Sequence, residues 1–129
     1  MVVSAILQEY LKPMPKHLDW TDSELERRDI VLAGGTALLN MKIDGALQHW
    51  AKENGLFVRI DRRGKSCWGN PFELNEDGDR DTVLANYADH VIPYKPSLPK
   101  RLPGLRGKVL GCWCYPLRCH GNLLIEMLG

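Results

Sequence analysis

The pattern that most constrains this chain is a strand, helix and strand in succession between residues 37 and 60. Residues 37–41 form a short apolar run that suits a buried strand, and Asp44 can cap the amphipathic helix that follows. Asn54 and Gly55 end that helix, and residues 56–60 resume as a second apolar strand. The connection between the two runs is long enough for a right-handed crossover, so parallel strands are expected.

Helices are predicted on both sides of this unit from their capping residues. Residues 21–24 offer hydroxyl caps with acidic neighbours, and the helix that they begin should end at the glycine pair 34–35. Further along the chain, Asp79 or Asp81 can begin another helix, which Pro93 would close. These signals place helical layers next to the predicted strands.

The C-terminal third is expected to supply the remaining strand and the last helix. Residues 95–108 are rich in proline and in basic side chains, which predicts a connector without regular structure. Residues 108–114 have the pattern of a third strand, and a tight loop leads to a helix over residues 121–128. Its inward face is predicted to hold four apolar side chains, Leu123, Leu124, Met127 and Leu128.

Length and composition fit one globular domain. With 129 residues, of which 44% are hydrophobic and 26% charged, the chain can bury a core without disulfide or metal staples. We therefore predict an N-terminal arm over residues 1–20 and a single α/β domain over residues 21–129. The expected architecture is a small three-layer, Rossmann-like domain with a short, mainly parallel sheet.

Charge and hydropathy argue against several partner classes. The net charge of +1 gives no overall field for nucleic acid or for an anionic membrane, and no apolar run approaches the roughly 20 residues that span a bilayer. The first ten residues lack the basic start of a secretory signal, so a cytoplasmic location is expected. In a reducing compartment, the four cysteines would be thiols, metal ligands or catalytic groups rather than disulfides.

Two segments rich in polar, aromatic and sulfur-bearing side chains follow the predicted second and third strands. If these strands are parallel, both segments leave the sheet at its carboxyl edge, where ligands of such sheets lie. This edge is therefore the predicted site. The candidate residues on the two segments are Arg62, Trp68, Gly69, Asn70, Arg118, Cys119, His120 and Gly121.

Cys119 and His120 are the predicted catalytic residues. They should lie at the N-terminus of the last helix, where free backbone N–H groups and the helix dipole favour an anion, either a phosphate or a thiolate. Beside Arg118 and a histidine, Cys119 would have a lowered pKa and could act as a nucleophile, with His120 as acid or base. The structural alternative is that Cys119 is a buried apolar residue and His120 a packing group.

Cys112 and Cys114 have a different context. The strand period of two places them on one face and Trp113 on the other, which favours buried thiols in a core strand. The alternative is a zinc site that uses Cys112, Cys114, Cys119 and either His120 or Cys67. The spacing lacks the paired knuckle of ordinary zinc sites, and two adjacent ligands would struggle to reach one ion. We therefore expect no metal cofactor.

Trp68, Gly69 and Asn70 are predicted to form a rigid turn. Pro71 keeps Asn70 extended, and its amide offers both a donor and an acceptor. Trp68 could stack on a base or fill the core, and both interpretations stay open. Arg80, at the start of a predicted helix, is typical of a surface charge but could reach an anion.

A set of short motifs in the second half of the chain resembles one known family. The motifs are Arg62, residues 68–72, residues 78–80, Tyr87, residues 105–108, residues 111–114 and residues 119–121. In this combination the chain resembles the phage and bacterial domain-of-unknown-function family 4326, from roughly residue 58 to the end. The resemblance implies a small cytosolic α/β domain, often phage-encoded, and no established reaction.

The leading functional hypothesis is a binding domain or an enzyme for a small anionic ligand, nucleotide- or nucleoside-like. Asn70 and Trp68 would read or stack the base, and Arg62 and Arg118 would neutralise the phosphate. The alternative is a phage-encoded inhibitor or interaction protein that acts on a host protein without catalysis. DNA binding through residues 95–108 is the third hypothesis, against which the near-neutral charge and the lack of a helix-turn-helix or finger signature argue.

Overall fold

The computed structural model describes residues 19–61, 67–71, 75–91, 95 and 97–129. Most of the predicted arm, together with Arg62 and Pro93, therefore lies outside the described residues. Within the described ranges, no helix has the length and apolar character needed to cross a membrane.

Three short parallel strands form the centre of the domain, and each lies inside a run that the sequence predicts. Strand β1 is Ala37–Asn40, β2 is Phe57–Arg59 and β3 is Val109–Cys112. β3 lies in the middle, which gives the order β1-β3-β2, and both pairings are parallel. β3 ends earlier than predicted because its partner β1 ends opposite it, where Asn40 pairs with Cys112.

Five α-helices connect and cover the strands in the described part of the chain. They are α1 (Asp22–Leu32), α2 (Gly45–Glu53), α3 (Arg80–Asn86), α4 (Ser97–Arg101) and α5 (His120–Leu128). A π turn over Tyr87–Val91 extends α3, and a 3-10 turn over Leu102–Leu105 follows α4.

The predicted capping residues begin two of these helices as expected. Thr21 and Glu24 form a reciprocal capping box at the start of α1, and the Asp79 side chain accepts a hydrogen bond from the backbone of Thr82 in α3. Asp44 precedes α2 but makes no capping bond with its side chain. Its carboxylate instead accepts two hydrogen bonds from the buried guanidinium of Arg27, at 2.8 and 3.0 Å.

Each face of the sheet is covered by its own hydrophobic cluster, so the domain has three layers as predicted. Alternate strand residues divide between the faces, with Leu38 and Leu110 on one and Leu39 and Val109 on the other. The α5-side cluster comprises Leu38, Ile60, Trp68, Tyr87, Leu98, Leu105, Leu110, Cys112, Cys119, Leu124 and Leu128. The α2-side cluster comprises Val31, Ala37, Leu39, Leu47, Trp50, Ala51 and Val109.

The prediction that residues 95–108 lack regular structure is wrong. This segment contains α4 and the 3-10 turn. Leu98 and Leu105 are buried in the α5-side cluster, at 1% and 3% exposure, and this packing supports helical turns despite the prolines. Tertiary contacts thus outweigh local sequence preference here.

The predicted inward face of the last helix is partly wrong. Leu124 and Leu128 are buried, but Met127 is 39% exposed and Leu123 is only half-buried. The helix begins at His120, and its first two residues are buried as well. The sheet therefore contacts α5 mainly through its N-terminal turn and through Leu124.

Candidate functional site

The two predicted motif segments meet at the carboxyl edge of the sheet. His120 places its Nε2 atom 2.5 Å from the backbone carbonyl oxygen of Ile60, directly after β2. The hydroxyl of Tyr87 donates to the carbonyl oxygen of Trp68 at 2.9 Å, and its ring centroid lies 5.1 Å from that of His120. Buried side chains therefore join the Trp68 segment to the start of α5.

Cys119 does not have the lowered pKa that its position at a helix start predicts. Its Sγ atom lies 3.5 Å from the Sγ atom of Cys112, and the residue is 2% exposed. Hydrogen bonds to Cys112 and Cys114, together with burial, raise the pKa of the Cys119 thiol. The prediction is wrong because this sulfur is buried and faces the thiols of Cys112 and Cys114.

Cys112 is the thiol of this pair that the protein stabilises as an anion. A hydrogen bond from the Cys119 thiol and two from the backbone N–H groups of Tyr115 and Cys114 lower the pKa of Cys112, although burial opposes them. In its neutral form, Cys112 can instead donate to the carbonyl oxygen of Leu39 at 3.5 Å. Within this pair, the pKa of Cys112 is therefore lowered and that of Cys119 is raised.

Three backbone donors at the start of α5, those of Cys119, Gly121 and Asn122, have partners within the chain. The N–H of Cys119 donates to Oδ1 of Asn122 at 2.9 Å, and the N–H of Asn122 donates to the carbonyl oxygen of Cys119 at 3.0 Å. The N–H of Gly121 hydrogen-bonds to the Cys119 sulfur. An anion at this helix start would have to displace these bonds.

Gly121, predicted as a ligand-binding residue, lies where α5 packs closely against the sheet. A Cβ atom added there would be 2.5 Å from Cδ2 of Leu38, 2.8 Å from Cδ1 of Ile60 and 3.3 Å from Sγ of Cys119. Favourable carbon contacts lie at about 3.5–4.0 Å. A larger residue at this position would therefore have to displace buried side chains of the core.

Trp68 and Asn70 are directed into the protein, with the half-buried Gly69 between them. Trp68 is 5% exposed and belongs to the α5-side cluster, so of its two interpretations the core position is the one observed. Nδ2 of Asn70 donates to the carbonyl oxygen of Val83 at 3.0 Å, which ties this turn to α3. Stacking or base reading by these two side chains would require them to leave the core.

Arg80 and Arg118 lie together on the surface next to the start of α5. Arg80 donates from Nη1 to the carbonyl oxygen of Arg118 at 3.0 Å, and Nη1 of Arg118 is 2.9 Å from Oε1 of Glu126. Both guanidinium groups therefore have protein partners at the surface. Their predicted role in binding an anion stays a prediction, as does that of Arg62.

The exposed rim of this edge is built by residues that sequence reasoning missed. Trp113 follows β3, is 48% exposed and donates from Nε1 to Oδ2 of Asp61 at 2.9 Å. Asp61 follows β2 and also accepts two hydrogen bonds from Arg59. Asn40 ends β1 and donates from Nδ2 to the carbonyl oxygens of Trp113 and Tyr115. Asp61 thus holds the indole N–H of Trp113, and Asn40 holds its backbone carbonyl.

Asp61 is the anchor of this rim. Burial alone would raise the pKa of its carboxyl, but the hydrogen bonds from Arg59 and Trp113 outweigh burial and lower the pKa. A sequence signal for these residues exists, because Asn40 and Asp61 are each a polar residue at or just after the end of an apolar strand. Trp113 gave no separate signal, because it lies inside the run predicted as the third strand.

Across the described ranges, no group of three or more His, Cys, Asp or Glu side chains is arranged to hold a metal ion. The described residues therefore do not form the zinc site considered as an alternative. One pocket of about 140 Å³ lies at the opposite edge of the sheet and is lined by Thr36, Arg106 and Leu128 among others. None of the predicted site residues lines it.

The parallel sheet with two covered faces defines this protein as a small three-layer α/β domain. The chain belongs to the family described as domain of unknown function DUF4326, whose model matches residues 46–129. This confirms the family resemblance and extends it into α2. The match contains Asp61, Trp113 and the three C-terminal cysteines, whereas Asn40 precedes it.

A curated relative comes from a giant virus. The uncharacterized protein R718 of Acanthamoeba polyphaga mimivirus is 31% identical over 70 residues, which cover 48% of this chain and 52% of the viral protein. The chain thus spans about half the length of that relative. No solved structure matches the chain.

Proposed function

We propose that this protein binds a nucleoside or nucleotide by stacking the base on Trp113 at the carboxyl edge of the sheet. The observation that supports this most is the fixed, half-exposed indole ring, held at Nε1 by Asp61 and through its own carbonyl by Asn40. An aromatic ring that is already ordered loses little conformational entropy when a ligand covers it. Stacking on such a ring accepts any base.

The charges around the ring favour an anionic ligand. Lys42 is exposed beside Asn40, and the Arg59 side chain is 38% exposed although it is paired with Asp61. The Arg59–Asp61 ion pair adds little net charge of either sign, so Lys42 supplies the positive charge. In this proposal, a phosphate attached to the stacked nucleoside pairs with Lys42.

Cys119 and His120 follow the loop that carries Trp113, at the start of α5. Both are buried, so in this proposal they position that loop and do not touch the ligand. Catalysis by Cys119 or His120 is a separate prediction, and its test requires an identified reaction. The geometry supports ligand binding without any catalytic step.

The test is a titration of the isotope-labelled protein with AMP, GMP, CMP, UMP and adenosine, followed by the indole N–H signals in NMR spectra. We expect the Trp113 signal to shift on binding. Replacement Trp113→Ala should weaken binding about 5- to 150-fold, since stacking contributes about 1–3 kcal/mol per base. The control is Leu117→Ala, which removes another exposed apolar side chain of the same loop, 58% exposed.

Two results would contradict the proposal. One is that none of the five compounds shifts the Trp113 signal at millimolar concentration. The other is that Trp113→Ala and Leu117→Ala bind a nucleotide as tightly as the wild type.

A protein interaction without catalysis is the second candidate function. Ile43, Trp113 and Leu117 are 60%, 48% and 58% exposed, and they lie on the segments that follow β1 and β3. Apolar side chains exposed on one edge are typical of a protein-binding surface. If a host protein binds there, both Trp113→Ala and Leu117→Ala should fail to retain it in a pull-down. Nucleotide binding should instead depend on Trp113 alone.

A further inference from the structure

Three cysteines lie together where β3 leads into α5. Cys112 ends β3, Cys119 immediately precedes α5, and Cys114 lies in the loop between them. The Sγ atoms of Cys112 and Cys119 are 3.5 Å apart, and the side chain of Cys114 is also hydrogen-bonded to Cys119. None of these three cysteines is in a disulfide. The Cys119 sulfur thus has two neighbouring thiols, those of Cys112 and Cys114.

Exposure differs along this group of thiols. Cys112 and Cys119 are 1% and 2% exposed, whereas Cys114 is half-buried. A disulfide has an S–S distance of about 2.05 Å, so the sulfurs of Cys112 and Cys119 need to approach by only about 1.5 Å. The two buried thiols are close enough to bond, and the third is placed to meet solvent.

We propose that Cys112 and Cys119 form a reversible disulfide, and that the oxidant, a low-molecular-weight disulfide, reacts first with Cys114. The Cys114 thiolate attacks one sulfur of the small disulfide, whose S–S bond breaks and releases one small thiolate. Cys119 then attacks the Cys114 sulfur, passes its proton to Cys112 and releases the second small thiolate.

In the last step Cys112 attacks the Cys119 sulfur, and Cys114 leaves as the thiol that takes the Cys112 proton. Two protein cysteines are oxidised, and one small disulfide is reduced to two thiolates, which take protons from water. Cys112 suits this final attack because the backbone N–H groups of Cys114 and Tyr115 stabilise its anion. The new bond would close the loop of residues 113–118 and join β3 covalently to the start of α5.

The sequence allows the bond to be located by peptide mapping. Trypsin cleaves after Lys108 and Arg118, so Cys112 and Cys114 share the peptide 109–118 while Cys119 lies in the peptide 119–129. The reduced full-length chain is incubated with oxidised glutathione, alkylated while denatured and digested without reductant. We expect the two peptides to be linked, with fragment ions between Cys112 and Cys114 that assign the bond to Cys112, and dithiothreitol should reverse the link.

Two variants test whether the small disulfide reacts first with Cys114. Replacement Cys114→Ser should slow formation of the linked peptides about tenfold or more, because the remaining two thiols are buried. Cys67→Ser, which removes the other half-buried cysteine, should leave the rate unchanged.

Three results would overturn the proposal. These are a stable glutathione adduct on Cys114 without linked peptides, a final bond between Cys114 and Cys119, and formation of the link in Cys114→Ser at the wild-type rate. The disulfide needs no bound nucleotide, so its test is independent of the test of the ligand site.

Discussion

Replacement Gly121→Ala separates the packing role of Gly121 from the ligand-binding role that its sequence position predicts. The added Cβ atom would lie 2.5 Å from Leu38 and 2.8 Å from Ile60. Both contacts are with methyl groups at the ends of side chains, but these side chains are only 4% and 0% exposed. They can move only by displacing their neighbours in the α5-side cluster.

The expected loss of stability follows from two opposing terms. Overpacking a core position by one methyl group costs about 1–3 kcal/mol. Alanine in a helix is favoured over glycine by up to about 1 kcal/mol, which offsets part of that cost. We therefore expect Gly121→Ala to lower the free energy of unfolding by about 1–2 kcal/mol, and the melting temperature by roughly 2–8 °C.

The assay is urea unfolding followed by circular dichroism, with Gly104→Ala as the control. A Cβ atom at Gly104 would meet nothing within 4 Å, so this variant should be neutral or up to about 1 kcal/mol more stable. The packing argument is refuted if Gly121→Ala is as stable as the wild type, or if both variants lose the same amount. Loss of nucleotide binding at unchanged stability would instead support the ligand-binding role.

Two further predictions concern the rim and the start of α5. The pKa of Asp61 is lowered in the folded state, so its ionised form contributes stability above about pH 3.9 that is lost as the pH falls through the lower folded-state value. The wild type should therefore be more stable than Asp61→Asn at pH 7, and this difference in the free energy of unfolding should shrink below about pH 4. Urea unfolding at a series of pH values measures it. A difference that does not change with pH would contradict this. His120→Ala removes a buried ring that contacts Tyr87 and the Ile60 carbonyl, so it should cost about 2–4 kcal/mol of stability, with the half-buried His49→Ala as control. A change within about 0.5 kcal/mol would favour the purely catalytic role predicted for His120.

The parts of the fold that the sequence predicts correctly are those with local signals. The capping box of Thr21 and Glu24 lies within one helical turn, and Gly34 ends α1 at a φ of 95° that favours glycine. The short apolar runs indicated the strands because each strand alternates between two buried faces. Such features require no knowledge of distant residues.

The features of the site that could not be predicted depend on contacts between distant segments. Asp61 and Trp113 are 52 residues apart, and the parallel pairing of β2 with β3 brings them together. The pKa of Cys119 likewise depends on the direction of its side chain. A position at a helix start predicts a lowered pKa for Cys119, whereas the observed contact with the Cys112 sulfur raises it.

The narrowness of the sheet explains why the predicted catalytic residues are buried while the rim is exposed. Three strands about 4.8 Å apart make an edge roughly 10 Å wide. Cys119 and His120 lie beside this edge at the start of α5 and are buried in the core. Within the described part of the chain, Trp113 is a half-exposed ring at the same edge, and Asp61 holds its indole N–H. For the proposed ligand, this arrangement favours stacking on Trp113 over contact with Cys119 or His120.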